Sequence, residues 1–164
     1  MEGYLDYKSN SKGYIYAKLY DSLVEGKQAL EMLQKGLLQN ASSKAFLSVK
    51  SAVSALVVKN LNEIIKLKNE KYWYENVGYS APTKGLIGIS KDLKNIGINA
   101  ENVIRIALSL HKFSYNGFDP NFVDYRNSEE LTSSPPEGRG FPSSIRVYIP
   151  HLRGSREGQR PPPV

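Results

Sequence analysis

From Ser11 onward the apolar residues Ile15, Leu19, Leu23, Leu30, Leu33 and Leu37 recur at three- and four-residue steps with one gap. This is the period of an amphipathic helix, and Gly36 supplies a C-terminal stop. A second helix is expected to start after Asn40, a good N-cap, and to run to about Lys68, with Phe46, Val49, Val53, Leu56 and Ile64 on one stripe. Ala41, Ala45, Ser48, Ala52 and Ala55 make a neighbouring stripe of small side chains. Small residues in a row let another helix come close, so this helix is expected at the centre of the bundle.

Trp73 and Tyr74 fall in a charged, glycine-punctuated connection from Asn69 to Ala81. Ser80, Ala81 and Pro82 then read as a helix start, with Pro near the first turn where its missing N–H costs nothing. The third helix carries Leu86, Ile89, Leu93 and Ile96 and stops near Gly97. Asn99 is the expected N-cap of a fourth, from Ala100 to about Ser114, packed through Val103, Ile104, Ala107, Leu108 and Leu110. Asn116-Gly117 ends it, and Asp119-Pro120 is expected to open a short fifth helix holding Phe122, Val123 and Tyr125. No alternating run of strand length interrupts this pattern, so the expected fold is an all-α antiparallel helical bundle, four main helices plus a short fifth.

The C-terminal stretch is different in kind. It runs Ser133-Ser134-Pro135-Pro136-Glu137-Gly138-Arg139-Gly140 and ends Arg160-Pro161-Pro162-Pro163-Val164, a Pro, Arg and Gly composition with little to fold on. The expected division is therefore a helical domain over 1–132 and an irregular basic tail over 133–164. A frameshift or read-through would leave such a switch as readily as a natural basic tail, so no function is built on residues after Thr132.

Charge changes the picture less than its total suggests. The net charge is +6, which by itself points toward nucleic acid or another anionic surface. Residues 1–132 hold 15 Lys and 2 Arg against 14 acidic residues, and residues 133–164 hold 5 Arg against 2 Glu. Half of the excess sits in the tail, and the body is only mildly basic. There is no cysteine, which removes disulfides and thiolate chemistry and fits a reducing cytoplasm. The first residues have no apolar run of the secretory kind, and the longest strongly apolar stretch, Ala52 to Val58, is far shorter than the ~20 residues of a membrane span. A cytoplasmic protein with no membrane partner is the expectation.

Few groups could carry chemistry. Two histidines, His111 and His151, with no paired Glu and Glu-x-x-His spacing do not make a metal site. Gly85 and Gly88 are not followed by a Gly-Lys-Ser or Gly-Lys-Thr element, so no phosphate loop and no cofactor is called for. Lys44, Lys50, Lys59, Lys66 and Lys68 could track a nucleic acid backbone or simply form a solvated face, mixed as they are with Glu63 and Glu70. Tyr4, Tyr7, Tyr14, Tyr16 and Tyr20 crowd the N-terminus, as a stacking platform or as half-buried rings at a bundle edge or dimer seam.

That leaves Arg105 and His111. Six helical positions separate their side chains by about 120° around the axis and about 9 Å along it, so one cleft could hold both. A guanidinium that stabilises phosphorane charge and an imidazole that moves a ribose proton suffice for metal-free RNA cleavage. The alternative is a solvated Arg105 and a His111 partly buried among Leu108, Leu110 and Tyr115.

A helix ending Leu33-Gln34-Lys35-Gly36-Leu37-Leu38, the small-residue helix from Ser43 to Ala52 and a later Arg-x5-His resemble the HEPN helical bundles. The segments from Ala81 to Leu86 and from Leu110 to Tyr115 look more closely like the archaeal PaREP proteins, over roughly Tyr14 to Tyr125. The HEPN resemblance implies a homodimer, RNA as a partner, and Arg105 and His111 as the catalytic pair of a metal-independent, toxin-type endoribonuclease. Active members commonly have a polar residue after the Arg, where this chain has Ile106, and Arg146 with His151 in the tail meets the same spacing. The rival readings are a non-catalytic bundle that binds a protein partner, antitoxin-like or scaffold, and a simple basic nucleic-acid-binding protein.

Overall fold

The computed structural model describes residues 6–67 and 69–132. Among them it shows seven α-helices and two short 3-10 helices, and no strand. The helices are α1 (Ser11–Gln34), α2 (Leu38–Lys59), α3 (Leu61–Leu67), α4 (Lys71–Asn76), α5 (Leu86–Asn95), α6 (Glu101–Asn116) and α7 (Ser128–Thr132). The expected tail, with Arg146 and His151, lies outside the described residues, as does Tyr4.

α1 begins where Asn10 accepts the Gly13 N–H at 2.8 Å. It ends in a Schellman turn: Gly36 has φ 72°, Leu37 N–H donates to Met32 O at 2.9 Å and Gly36 N–H to Leu33 O at 3.0 Å. This tight reversal lets α2 start at Leu38, a turn before the expected Asn40 cap. Contacts between residues 14 and 54, 22 and 48, and 25 and 44 run α1 and α2 antiparallel. Ser48 Oγ donates to Ser22 O at 2.7 Å, and a Cβ on Gly26 would meet Ser48 Oγ at 3.2 Å. Ser54 Oγ spends its proton on Tyr79 O, so the Tyr14 hydroxyl donates to Ser54 at 2.8 Å.

This close seam corrects the expected use of α1. Its leucine stripe does not face the core: Leu23, Leu30 and Leu33 are exposed, and the helix buries Tyr14 and Ala29 instead. Small residues and paired hydroxyls bring the two backbones nearer than leucines would allow.

The core lies on the other side of α2. Phe46, Val53 and Val57 pack there with Ile64 of α3, Tyr74 of α4, Leu86, Ile89 and Leu93 of α5, and Ile104 and Ala107 of α6. α2 has the length and apolar composition to cross a bilayer, alone among the described helices, but these same side chains are spent inside the bundle. The expected single helix to Lys68 is two, broken at Asn60, whose side chain donates to Leu56 O at 2.8 Å. The expected connection holding Trp73 and Tyr74 is in fact helical and structural. Tyr74 is fully buried and donates to the buried Asp92 of α5 at 2.6 Å. Burial, then the hydrogen bond to Asp92, pushes the Tyr74 hydroxyl far above its usual pKa.

Three smaller expectations also shift. Ala81, not a continuing helix start, takes a left-handed φ of 50° between the two 3-10 turns. α5 closes on a second Schellman turn at Gly97, and α6 then begins after Ala100, with no side-chain cap from Asn99. Asp119-Pro120 opens a turn rather than a helix, because Asp119 Oδ1 accepts the Asn121 N–H at 2.9 Å, and the short helix follows at Ser128–Thr132.

Replacing Tyr74 by Phe keeps the ring and removes one hydrogen bond to a buried carboxylate. Urea unfolding of Tyr74→Phe is expected to show a loss of about 2 kcal/mol, with unchanged helical circular dichroism.

Candidate functional site

α6 presents the two candidate residues in different surroundings. Glu101 occupies its first turn, where a carboxylate complements the helix dipole. One turn on, Arg105 donates to Glu101 Oε1 from Nε at 3.0 Å and from Nη2 at 2.8 Å. Lys94 Nζ of α5 lies 3.7 Å from the other Glu101 oxygen. The Arg105 hydrogen bonds and charge hold the Glu101 carboxyl below its ordinary range. Arg105 and the following Ile106 are both exposed.

His111, nearly two turns further, lies half-buried against α2. Its ring stacks on Phe46 at 4.1 Å between centroids and 23° between planes, and meets Tyr115 edge-on at 5.1 Å. Burial, and then the nearby Lys50 ammonium, lower its pKa from the ordinary 6.5. The imidazole is therefore neutral at neutral pH. Arg105 and His111 have different hydrogen-bond, ion-pair and ring partners, and the helix separates them by about 9 Å along its axis.

Tyr115, the ring that meets His111 edge-on, also lines an open cleft of about 300 Å³, together with Met32 of α1, Gln39, Asn40, Ser43 and Lys44 of α2 and Ser114 of α6; His111 itself is not part of that lining. Within α6, Ser114 Oγ donates to His111 O at 2.7 Å, and Gln39 Nε2 of α2 donates to Ser114 O at 3.3 Å, which ties α2 to α6 through two residues that line the cleft. Lys44 Nζ is 2.8 Å from Glu25 Oε2. The cleft thus offers amides, hydroxyls and an exposed phenol ring. Among the described residues no group of three or more His, Cys, Asp and Glu side chains is placed to hold a metal.

Sequence reasoning singled out His111 but missed Phe46 and Lys50 as its surroundings and missed the cleft altogether. Its lining comes from three helices, and no spacing along the chain marks it.

The model of the archaeal PaREP1/PaREP8 family matches residues 17–133. The chain belongs to that family. The match takes in Arg105, His111 and every residue of the cleft, and it bears out the PaREP resemblance read from the segments around Pro82 and His111. No curated protein and no solved structure matches this PaREP chain.

The lowered His111 pKa carries a sign for stability. The unfolded imidazole binds its proton more readily than the folded one, so stability is fully present above pH 6.5 and is lost as the pH falls toward the folded pKa. In urea titrations at stepwise lower pH, His111→Gln is expected to remove the part of this loss that begins near neutrality.

Proposed function

We propose that this PaREP protein is an HEPN-type, RNA-associating bundle that meets single-stranded RNA at the His111 end of α6. The observation that carries the reading is an imidazole that stacks on Phe46, is kept neutral there, and meets edge-on the exposed Tyr115 ring that lines a polar cleft. A neutral imidazole is the form that takes a proton from a ribose 2′-hydroxyl. Tyr115 offers a face for a base, and Gln39, Asn40 and Ser43 offer donors to phosphate or base edges.

Cleavage asks more. A phosphate must reach Arg105 while the ribose reaches His111, so the strand has to run along α6. Arg105 must also turn from Glu101 to the phosphate. That exchange costs little, because an exposed ion pair is screened by water and salt. Arg105 and His111 are then the catalytic pair of a metal-independent endoribonuclease, with charge stabilisation assigned to the first and proton transfer to the second.

A second reading drops turnover and keeps the bundle as a protein-interaction module, antitoxin-like or scaffold. It is favoured by the Arg105 to Glu101 pairing and by the apolar Ile106 exposed beside it.

Incubation of the purified chain with unstructured RNA in chelator separates the two. The nuclease reading expects cleavage that falls about 10²-fold or more in His111→Ala and comparably in Arg105→Ala. Binding without cleavage, weakened by Tyr115→Ala, retains RNA association alone. No binding by the wild type, or cleavage untouched by both substitutions, sinks the proposal.

A further inference from the structure

The cleft is polar, yet its lining carries almost no net charge. Lys44 is the one charged residue among those that line it, and its Nζ lies 2.8 Å from Glu25 Oε2. Both side chains of the pair are largely buried, so water screens the pair less than it would on an open surface. A phosphate drawn to Lys44 would have to approach the Glu25 carboxylate as well. The lining therefore favours a neutral ligand.

To such a ligand it offers hydrogen bonds and an aromatic face. Gln39 Nε2 donates to Ser114 O, which fixes that amide and leaves Oε1 as an acceptor. The Asn40 amide and the Ser43 hydroxyl have no hydrogen bond to another described residue. A carboxamide presents a donor and an acceptor side by side, the pattern that matches the N6 amino group and N7 of adenine. Tyr115 is 77% exposed, so a ring face is open. That ring is nonetheless braced, because it meets His111 edge-on and His111 stacks on the buried Phe46. A braced ring loses little freedom when a flat ring stacks on it. Met32 adds a soft apolar wall.

Size agrees. A volume of about 300 Å³ is at the small end of the range for organic ligands, room for one base rather than a length of strand. We infer that the cleft is a nucleobase pocket, which takes one flat, neutral, nitrogen-rich ring against Tyr115, bonds its edge through Asn40, Ser43 and Gln39, and leaves the phosphates outside. The inference rests on the RNA reading and narrows it to the part of a nucleotide that the cleft recognises. The rival occupant is a phosphate, to which the N-terminus of α2, without a side-chain cap, would donate.

The test uses the full chain, labelled with nitrogen-15 and titrated with adenosine, with ribose 5-phosphate and with inorganic phosphate. The side-chain amide signals of Asn40 and Gln39, assigned from Asn40→Ala and Gln39→Ala, are expected to shift saturably with adenosine and to stay in place with the other two. Tyr115→Ala is expected to weaken adenosine binding about tenfold. Asn40 and Tyr115 are exposed, so both variants should keep the helical circular dichroism of the wild type. No saturable shift with adenosine, an equal shift with ribose 5-phosphate or phosphate, or binding untouched by Tyr115→Ala overturns the inference. Binding of unstructured RNA is measured alongside: RNA bound without adenosine sinks the base pocket alone, and adenosine bound without RNA sinks the RNA reading alone.

Discussion

The close approach of α1 to α2 is the constraint on which the rest of the molecule depends. Gly26 leaves room for Ser48, and the hydroxyls of Ser48, Ser54 and Tyr14 take up hydrogen bonds across the seam. A seam of small and hydroxylic side chains contributes less apolar burial than a leucine seam but favours one register, in which Ser48 bonds to Ser22 and Tyr14 to Ser54. It also frees both helices' large apolar side chains for other faces. Those of α2 build the core with α5 and α6, and those of α1 turn outward.

The same arrangement decides the character of the candidate site. α2 turns Phe46 toward α6, and His111 stacks on it. Lys50, one turn along α2, adds its charge to the burial that keeps the ring neutral. The N-terminal turn of α2, the last turn of α1 and the last turn of α6 come together only because α1 reverses into α2 within three residues, and the cleft is the gap between their ends. Arg105 belongs to a different local system, an exposed ladder of Lys94, Glu101 and Arg105 linking α5 to α6.

A second aromatic system holds the opposite end. Tyr7, Tyr14 and Tyr79 pack with centroids 4.5 to 6.1 Å apart, and Tyr7 donates to Glu75 O at 2.7 Å. These contacts pin the start of the described chain to the segment around α4. The N-terminal tyrosines therefore divide: Tyr7 and Tyr14 are structural, and Tyr16 and Tyr20 look outward.

Local signals in the sequence determined the helical class, the stops at Gly36, Gly97 and Gly117 and the central place of the small-residue helix. They depend on neighbours along the chain: a glycine free to take positive φ ends a helix wherever it packs. The PaREP resemblance was legible for a similar reason, in short contiguous segments. Which face of each helix is buried was not. The leucines of α1 and the Trp73-Tyr74 pair show the same period or polarity whether they face core or solvent, and only the helices packed against them decide the matter. So too with His111: its position on a helix could be read from the chain, but its neutrality could not, since that comes from Phe46 and Lys50, brought to it by the packing of α2 on α6.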